Sequence, residues 1–260
     1  MKRPLLYLAL ILLFTKPLAF ADESGWKVST STHFQVYYKQ APEEFIKQLI
    51  DKSEDYYSDI ADDLGFTRFN FWLWDNRAKI YIHDNQEDFQ AATGQPKWSA
   101  GSAQVDTKTI QTFTYAQGFT ETILPHEMGH IIFREFIGFD NPASPLWLDE
   151  GVACYQEKSR RITADSICRE AIKKGDFLGL VQLSRLNQDS LQNGDLVKLF
   201  YAEAFSLVDF LMKEFDKDKF VYFCQNLRDK KNFESAVSSS YPFGNIDEFD
   251  SAWQKYLKHE

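Results

Sequence analysis

Cysteine is scarce in this chain of 260 residues, which has three: Cys154, Cys168 and Cys224. None belongs to a C-x-x-C pair, so the sequence indicates neither a redox dithiol nor a cysteine-based zinc site. If the protein is exported, two of the cysteines could pair, and the spacing does not select which two. Cys154 lies four residues after Glu150. Cys154 is interpreted either as a thiolate near a metal or as a small buried hydrophobic residue, which is the simpler alternative.

The sequence also lacks a cluster of basic residues. It carries 29 Lys and Arg against 38 Asp and Glu, for a net charge of -9. Such a field repels polyanions, so binding of nucleic acid or of an anionic membrane surface is not expected. Internal repeats, low-complexity segments and linkers that would separate independent domains are absent as well, which favours one compact organisation.

No apolar run is long enough to cross a bilayer, which needs about 20 residues. The run at residues 5–14 follows the basic pair Lys2 and Arg3 and precedes an A-x-A site that ends at Ala21. This order is typical of a cleaved signal peptide, here residues 1–21, and predicts export to the periplasm or the exterior. An uncleaved anchor is the alternative, although the run is short and no cysteine follows it to accept a lipid. Cleavage removes three positive charges and takes the net charge from -9 to -12, with no stable membrane insertion afterwards.

Periodicity divides the chain into two halves. Alternating apolar positions predict strands in the first half, whereas apolar spacing of three and four predicts helices in the second. The expected fold class is α+β, with a strand-containing subdomain at residues 22–142 packed on a helical subdomain at 143–260. Strands are predicted at 26–40, 69–74, 79–83 and 107–115. Helices are predicted at 42–65, 87–93, 145–158, 164–174, 196–215, 220–227, 233–237 and 247–257, and a further helix begins near Pro125 and includes Glu135.

The chemical signal is His126-Glu127-Met128-Gly129-His130, an H-E-x-x-H motif in a chain with only five histidines. Residues four apart on a helix share a face, so both histidines can bind one metal ion while Glu127 reaches a water at its open side. Pro125 is tolerated only in the first turn, so this helix should begin close to the motif, with Thr120 or Thr122 as its cap. The remaining histidines are not assigned to the site. His33 and His83 are predicted to have structural roles, and His259 is predicted to lie in a frayed C-terminal tail.

A hydrolytic zinc site needs a third protein ligand and an open position for water. Glu150 follows His130 by twenty positions, after a turn that contains Gly138. A helix, a reversal and an antiparallel helix would place its carboxylate beneath the two imidazoles. Glu135 projects about a right angle away from the histidine face, and Phe133 and Phe136 exclude a metzincin pattern. The other acidic candidates are Asp140, Asp149 and Glu157.

The segment from Trp147 to Tyr155, WLDEGVACY, resembles the W-L-x-E-G-x-A-x-Y element of peptidase-MA-like domains. Together with the H-E-x-x-H motif it resembles the gluzincin metallopeptidases, a group that includes thermolysin and aminopeptidase N. The resemblance implies a thermolysin-like zincin fold and one Zn²⁺ held by His126, His130 and Glu150. It also implies Glu127 as the general base and a peptide or protein substrate.

Three departures concern aminopeptidase specificity. The spacing from His130 to Glu150 is one residue longer than in aminopeptidase N-type enzymes, and Asp149 replaces an asparagine. The G-x-M-E-N exopeptidase loop is missing, and residues 100–103, expected to be flexible, occupy its place. The mode of cleavage, exopeptidase or endopeptidase, therefore stays open.

The resemblance further implies a downstream Tyr or His that stabilises the oxyanion. Tyr201 is the predicted donor, and simple packing is the alternative; three other tyrosines compete for the role: Tyr155, Tyr222 and Tyr241. The strand at 107–115 is expected to lie along the cleft and to pair with an extended substrate. Asp149 is either an orienting partner of a ligand histidine or a surface residue.

Two other functions compete with a zinc peptidase. One is a catalytically silent zincin-fold protein that retains zinc as a structural element and acts as a scaffold. Such proteins should have lost the base or a ligand, whereas the full set is present here. The other is metal-dependent hydrolysis of a non-peptide bond, which nothing in the sequence selects.

Overall fold

A computed structural model of the chain describes residues 20–21, 25–66, 72–97, 99–158 and 160–259. Most of the predicted signal peptide lies outside these residues. Within these residues the β-sheet has six strands, in the order β1-β2-β3-β4-β6-β5. They are β1 (Phe20–Ala21), β2 (Lys27–Thr30), β3 (Phe34–Tyr38), β4 (Ala78–His83), β5 (Gly101–Gln104) and β6 (Thr109–Phe113). The two residues of β1 are the last two of the predicted leader.

The sheet is mixed because helical crossovers and hairpins alternate along the chain. Strand β4 runs parallel to β3 and to β6, and the β3–β4 connection contains α1 (Glu43–Asp63). Helix α2 (Gln86–Thr93) follows β4. Strands β2 and β3 are antiparallel, as are β5 and β6. Helical crossovers are the usual way to join parallel strands. This topology leaves β5 at one edge of the sheet.

Burial alternates along the inner strands, as expected for a sheet with one covered face. Phe34, Val36, Ile80 and Ile82 are fully buried, while the residues between them are partly exposed. Tyr57 of α1 packs its ring edge-on against Phe34. The sheet is thus anchored to the helical layer on its apolar face.

Several predicted strands are wrong in extent. The segment 26–40 is a hairpin, because Ser31 donates its backbone N–H to the carbonyl of Phe34 across a turn. Residues 67–71 lie outside the described part of the chain, and the remainder of the 69–74 strand is a bend followed by a 3₁₀ turn at Trp74–Asn76. The strand predicted at 107–115 is shortened to β6. The segment expected to be flexible, 100–103, largely forms β5.

The rest of the described chain is helical, which fits the α+β expectation. The helices are α3 (Leu124–Ile137), α4 (Leu146–Tyr155), α5 (Arg160–Lys174), α6 (Gly179–Leu183), α7 (Gly194–Lys230), α8 (Phe233–Ser240) and α9 (Ile246–His259). Two predicted helices, 196–215 and 220–227, merge into α7 across a break at Asp216, where φ is 66°. Within the described ranges, no helix is both long and apolar enough to cross a membrane.

The motif helix α3 begins where Pro125 requires. A π-helical turn at Phe119–Ile123 leads into it, and Pro125 lies in its first turn. Neither Thr120 nor Thr122 caps it, because the preceding turn is itself helical and no side chain bonds the helix end. Helix α4 packs between α3 and α7. The motif therefore lies at the interface between the helical layer and the edge of the sheet, where α3 also contacts β5.

Candidate metal centre

His126 and His130 present their Nε2 atoms to a common point. One helical turn separates the residues, their rings are nearly perpendicular, and the two Nε2 atoms lie 3.1 Å apart. A single metal ion between two imidazole nitrogens that converge in this way could accept a lone pair from each. The helical geometry expected from the motif is therefore present.

Glu150 of α4 supplies the third potential ligand atom. Its Oε2 lies 3.6 Å from the Nε2 of each histidine. This oxygen is buried and has no hydrogen-bond partner among the residues that the structure describes. Ligand atoms of a tetrahedral zinc ion with bonds near 2.1 Å are about 3.4 Å apart. The two nitrogens and the orphaned oxygen fit such a site in chemistry and in spacing.

The ionisable groups of this cluster strongly shift one another's pKa values. Burial alone would raise the pKa of Glu150, but the imidazoles of His126 and His130 outweigh it and hold the pKa well below its ordinary value. Burial alone would lower the pKa of His126. Its interactions with Cys154, Glu150 and Glu157 instead raise that pKa well above its ordinary value. The cluster thus stabilises positive charge at the point where the three ligand atoms meet.

Glu157 binds the other side of His126. Its Oε1 lies 2.8 Å from Nδ1 of the imidazole, and the residue is buried. Arg160 donates its Nε–H to the same carboxylate at 3.1 Å. The Sγ of Cys154 belongs to the same group, within 4.8 Å of a ring nitrogen of His126 and of a Glu157 oxygen. The sequence indicates Glu157 only as a possible ligand and does not predict this contact, because only the fold brings position 157 back to position 126.

Asp149 is not a surface residue, and its carboxyl interacts electrostatically with His130. It is buried and forms an ion pair with Arg134 of α3, and Ser144 donates to it at 3.3 Å. Burial raises the pKa of its carboxyl, partly offset by Arg134. Among the other acidic residues considered as ligands, Glu135 accepts hydrogen bonds from Lys108 and Trp72, and Asp140 is exposed on the cleft wall.

A cleft of about 660 Å³ opens onto the three ligand atoms. Glu127 lies in its wall beside His126 and His130, and the residues from Gly101 to Ala103 of β5 also line it. The expectation that the strand at 107–115 borders the cleft is wrong. Strand β6 is paired on both sides, by β4 and β5, so β5 has the unpaired edge.

Tyr201 of α7 also lines this cleft. Its ring lies 5.0 Å from the guanidinium carbon of Arg160. Burial raises the pKa of its hydroxyl well above the ordinary value, so the side chain keeps its proton at neutral pH. The competing tyrosines lie elsewhere: Tyr155 stacks on Phe205, Tyr222 is exposed and Tyr241 is buried among aromatic rings.

The remaining histidines and cysteines have ordinary surroundings. His33 pairs with Glu54 and His83 with Gln111, which fits the structural roles assigned to them; the side chain of His259 is outside the described set. Cys154, Cys168 and Cys224 are all buried free thiols. No pair of them forms a disulfide, contrary to the possibility left open by the sequence.

Comparison with known proteins gives one family. No curated protein matches the chain. A family model described as the Peptidase MA superfamily matches residues 74–259, which is more than half of the sequence and includes both α3 and α4. This match agrees with the resemblance carried by the H-E-x-x-H motif and the WLDEGVACY segment. The chain therefore belongs to the Peptidase MA superfamily and contains a metallopeptidase-like zincin domain.

Proposed function

We propose that this protein is an exported, zinc-dependent metallopeptidase of the gluzincin type that hydrolyses peptide bonds. One observation carries the proposal. The buried Oε2 of Glu150 has no hydrogen-bond partner among the described residues and lies 3.6 Å from both histidine Nε2 atoms. An unpaired carboxylate oxygen in that position is costly unless a cation binds it. In this proposal His126, His130 and Glu150 hold a single Zn²⁺.

A bound zinc ion would polarise the scissile carbonyl and bring the pKa of its water near neutrality. Glu127, on the cleft wall beside the ligands, takes the proton from the attacking water and returns it to the leaving amine. Tyr201 supplies an O–H from the same cleft to the developing oxyanion. The free edge of β5 offers backbone groups that can pair with an extended peptide.

The thermolysin-like arrangement is part of the same proposal. The mixed sheet comes from the first half of the chain and the helices α4 to α9 from the second, and residues of β5, α3, α4 and α7 line the cleft. A peptide could lie along β5 with its scissile bond over the metal. This arrangement supports a peptidase better than a silent scaffold, since Glu127 and every proposed ligand face one accessible cleft.

Export is proposed from the N-terminal sequence. Cleavage after Ala21 would begin the mature chain at Asp22 and leave β2 as the edge strand in place of β1. Intact-mass measurement of the protein recovered outside the cytoplasm tests this directly. A mass that still includes residues 1–21 would contradict it.

The central experiment compares wild-type protein with Glu127→Gln on an unstructured protein substrate. We expect hydrolysis by the wild type that stops with a chelator and returns with Zn²⁺, and no hydrolysis by Glu127→Gln, which should still bind one zinc per chain. Glu121→Gln is the matched control, because Glu121 is exposed and lies outside the cleft lining. Cleavage by the Glu127→Gln protein would overturn the catalytic assignment. A wild type that binds zinc and cleaves nothing across a broad substrate panel would favour the scaffold alternative.

A further inference from the structure

His126 forms a hydrogen bond with Glu157 on the side of its ring that faces away from the proposed zinc ion. The role inferred below for this bond rests on the proposed zinc site. His126 directs Nε2 towards His130 and Glu150, and its Nδ1 towards Glu157. An imidazole can bind a metal through Nε2 only when that nitrogen carries the lone pair, which requires the proton on Nδ1. The acceptor at Nδ1 therefore decides whether His126 is ready to bind.

Two acceptor groups lie near His126, the thiol of Cys154 and the carboxylate of Glu157, and their ligand atoms are within 4.8 Å of one another and of a ring nitrogen of His126. A thiol is a weak acceptor, whereas a carboxylate is a strong one. The carboxylate oxygen also lies at 2.8 Å from Nδ1, a normal length for a charge-assisted hydrogen bond. Glu157 is buried at 4% exposure, so water does not compete strongly for it.

Arg160 connects this carboxylate to Tyr201, which also lines the cleft. Its Nε lies 3.1 Å from each oxygen of Glu157, and its guanidinium carbon lies 5.0 Å from the ring of Tyr201. The residue begins α5, whereas Tyr201 belongs to α7. One arginine thus contacts both the carboxylate behind a proposed ligand and the proposed oxyanion donor. A guanidinium suits this place because it can bind a carboxylate and lie against a ring at once.

We propose that Glu157 and Arg160 are positioning residues: Glu157 fixes the ring and tautomer of His126 for metal binding, and Arg160 fixes both Glu157 and Tyr201. Sequence position alone does not indicate this role, since Glu157 lies beyond the end of α4 at Tyr155. The turn after α4 folds back because the N–H of Glu157 bonds the carbonyl of Cys154 and the N–H of Arg160 bonds the carbonyl of Glu157.

The first test is zinc affinity, measured by competition between the purified protein and a chromophoric chelator for Zn²⁺. Loss of a carboxylate that orients a ligand histidine weakens metal binding by about 10- to 100-fold. We expect Glu157→Ala to show a loss in that range. Glu157→Gln, which keeps the shape and one acceptor oxygen, should show a smaller loss. Glu170→Ala removes an exposed acidic side chain from α5 and should bind zinc as the wild type does.

Thermal unfolding with and without Zn²⁺ distinguishes a positioning role of Glu157 from a purely structural one. If Glu157 positions His126, zinc should raise the Tm of its variants by less than it raises the Tm of the wild type. A structural role would instead lower Tm equally in both conditions. That result would overturn the proposal, as would zinc affinity unchanged in Glu157→Ala or a greater loss in Cys154→Ala than in Glu157→Ala. If Glu157→Ala does not fold, Glu157→Gln carries the same comparison.

Arg160 is tested through turnover. Arg160→Met should lower kcat by about tenfold or more with a smaller change in KM, because Tyr201 acts after substrate binds. Arg160→Lys keeps the charge but not the planar fork, so it should rescue kcat only in part. Arg185→Met, at an exposed position outside the cleft lining, is the control. Unchanged kcat in Arg160→Met overturns the role of Arg160. Failure of the wild type itself to bind zinc or to cleave peptides would instead refute the function on which this inference rests.

Discussion

Gly129 of α3 lies directly against Ala153 of α4. A Cβ on Gly129 would stand 3.0 Å from the Cα of Ala153 and 3.1 Å from the Cγ of Gln156. The two helices therefore touch backbone to backbone at the position inside the H-E-x-x-H motif. This close approach is what allows the Glu150 carboxylate to reach His126 and His130.

Gly129→Ala should separate α3 from α4 and move Glu150 away from the histidines. A methyl group forced into a packed interface costs about 1–3 kcal/mol, so we expect a lower free energy of unfolding in denaturant titrations. Zinc affinity should fall at the same time. Gly194→Ala, at the first residue of α7 with nothing within 4 Å of its added Cβ, should change neither quantity. Wild-type zinc affinity in Gly129→Ala would contradict the packing argument.

Glu150→Gln should abolish stabilisation by zinc. A ligand that binds only the folded state stabilises it by about 2.7 kcal/mol at a hundred times its dissociation constant. We expect the wild type to gain stability with Zn²⁺ in this way and to lose the gain with a chelator, as calorimetry would show. Glu135→Gln is the control, because Glu135 accepts from Lys108 and Trp72 rather than facing the histidines. Equal zinc stabilisation of Glu150→Gln and the wild type would exclude Glu150 as a ligand.

Tyr201→Phe should lower kcat and leave KM nearly unchanged. Burial keeps the hydroxyl protonated, so the wild type can donate to the oxyanion across the working pH range. Removal of one such donor costs about 10²- to 10³-fold in kcat. Steady-state kinetics on a fluorogenic peptide measure both parameters, with Tyr222→Phe at an exposed site as the control. A wild-type kcat in Tyr201→Phe would assign the residue to packing.

Glu203 should make stability depend on pH. This carboxyl is fully buried in α7 and accepts from the backbone N–H of Leu178 at 2.9 Å, while its other oxygen has no hydrogen-bond partner among the described residues. Burial raises its pKa from 4.5 to about 8. Between these values the unfolded chain has released the proton and the folded chain retains it. Stability is therefore full below about pH 4.5 and falls as pH rises through 8, by up to about 1.4 kcal/mol per pH unit.

Glu203→Gln removes this titration while keeping the carbonyl acceptor for Leu178. We expect its unfolding free energy to fall less steeply than that of the wild type between pH 5 and pH 8, as urea titrations at several pH values would show. Asp195→Asn, at an exposed position in the first turn of the same helix, is the control. Parallel pH profiles for Glu203→Gln and the wild type would contradict the assignment.

Most helices are predicted correctly because a helix is indicated by residues that are close together in the sequence. The proline at 125 places the start of α3 in its first turn, and the apolar spacing in α4 and α7 is read without knowledge of neighbours. The strands were predicted less well. A turn closed by Ser31 and Phe34 splits one predicted strand, and the small residues at 101–103 form a strand only because β6 pairs with them. Strand formation depends on partners that are distant in sequence, and edge strands show this most clearly.

The residues of the proposed metal site are predicted from the sequence. His126, Glu127 and His130 share one helix, and their spacing alone fixes their common face. Glu150 was predicted from a resemblance and from a turn at a plausible distance, and the convergence of its oxygen on two nitrogens was decided by the packing of α4 on α3. Tertiary structure alone placed Glu157 behind His126, paired Asp149 with Arg134 and made β5 the edge of the cleft. These contacts join residues from different elements, so their distances depend on how whole helices and strands pack rather than on any local period.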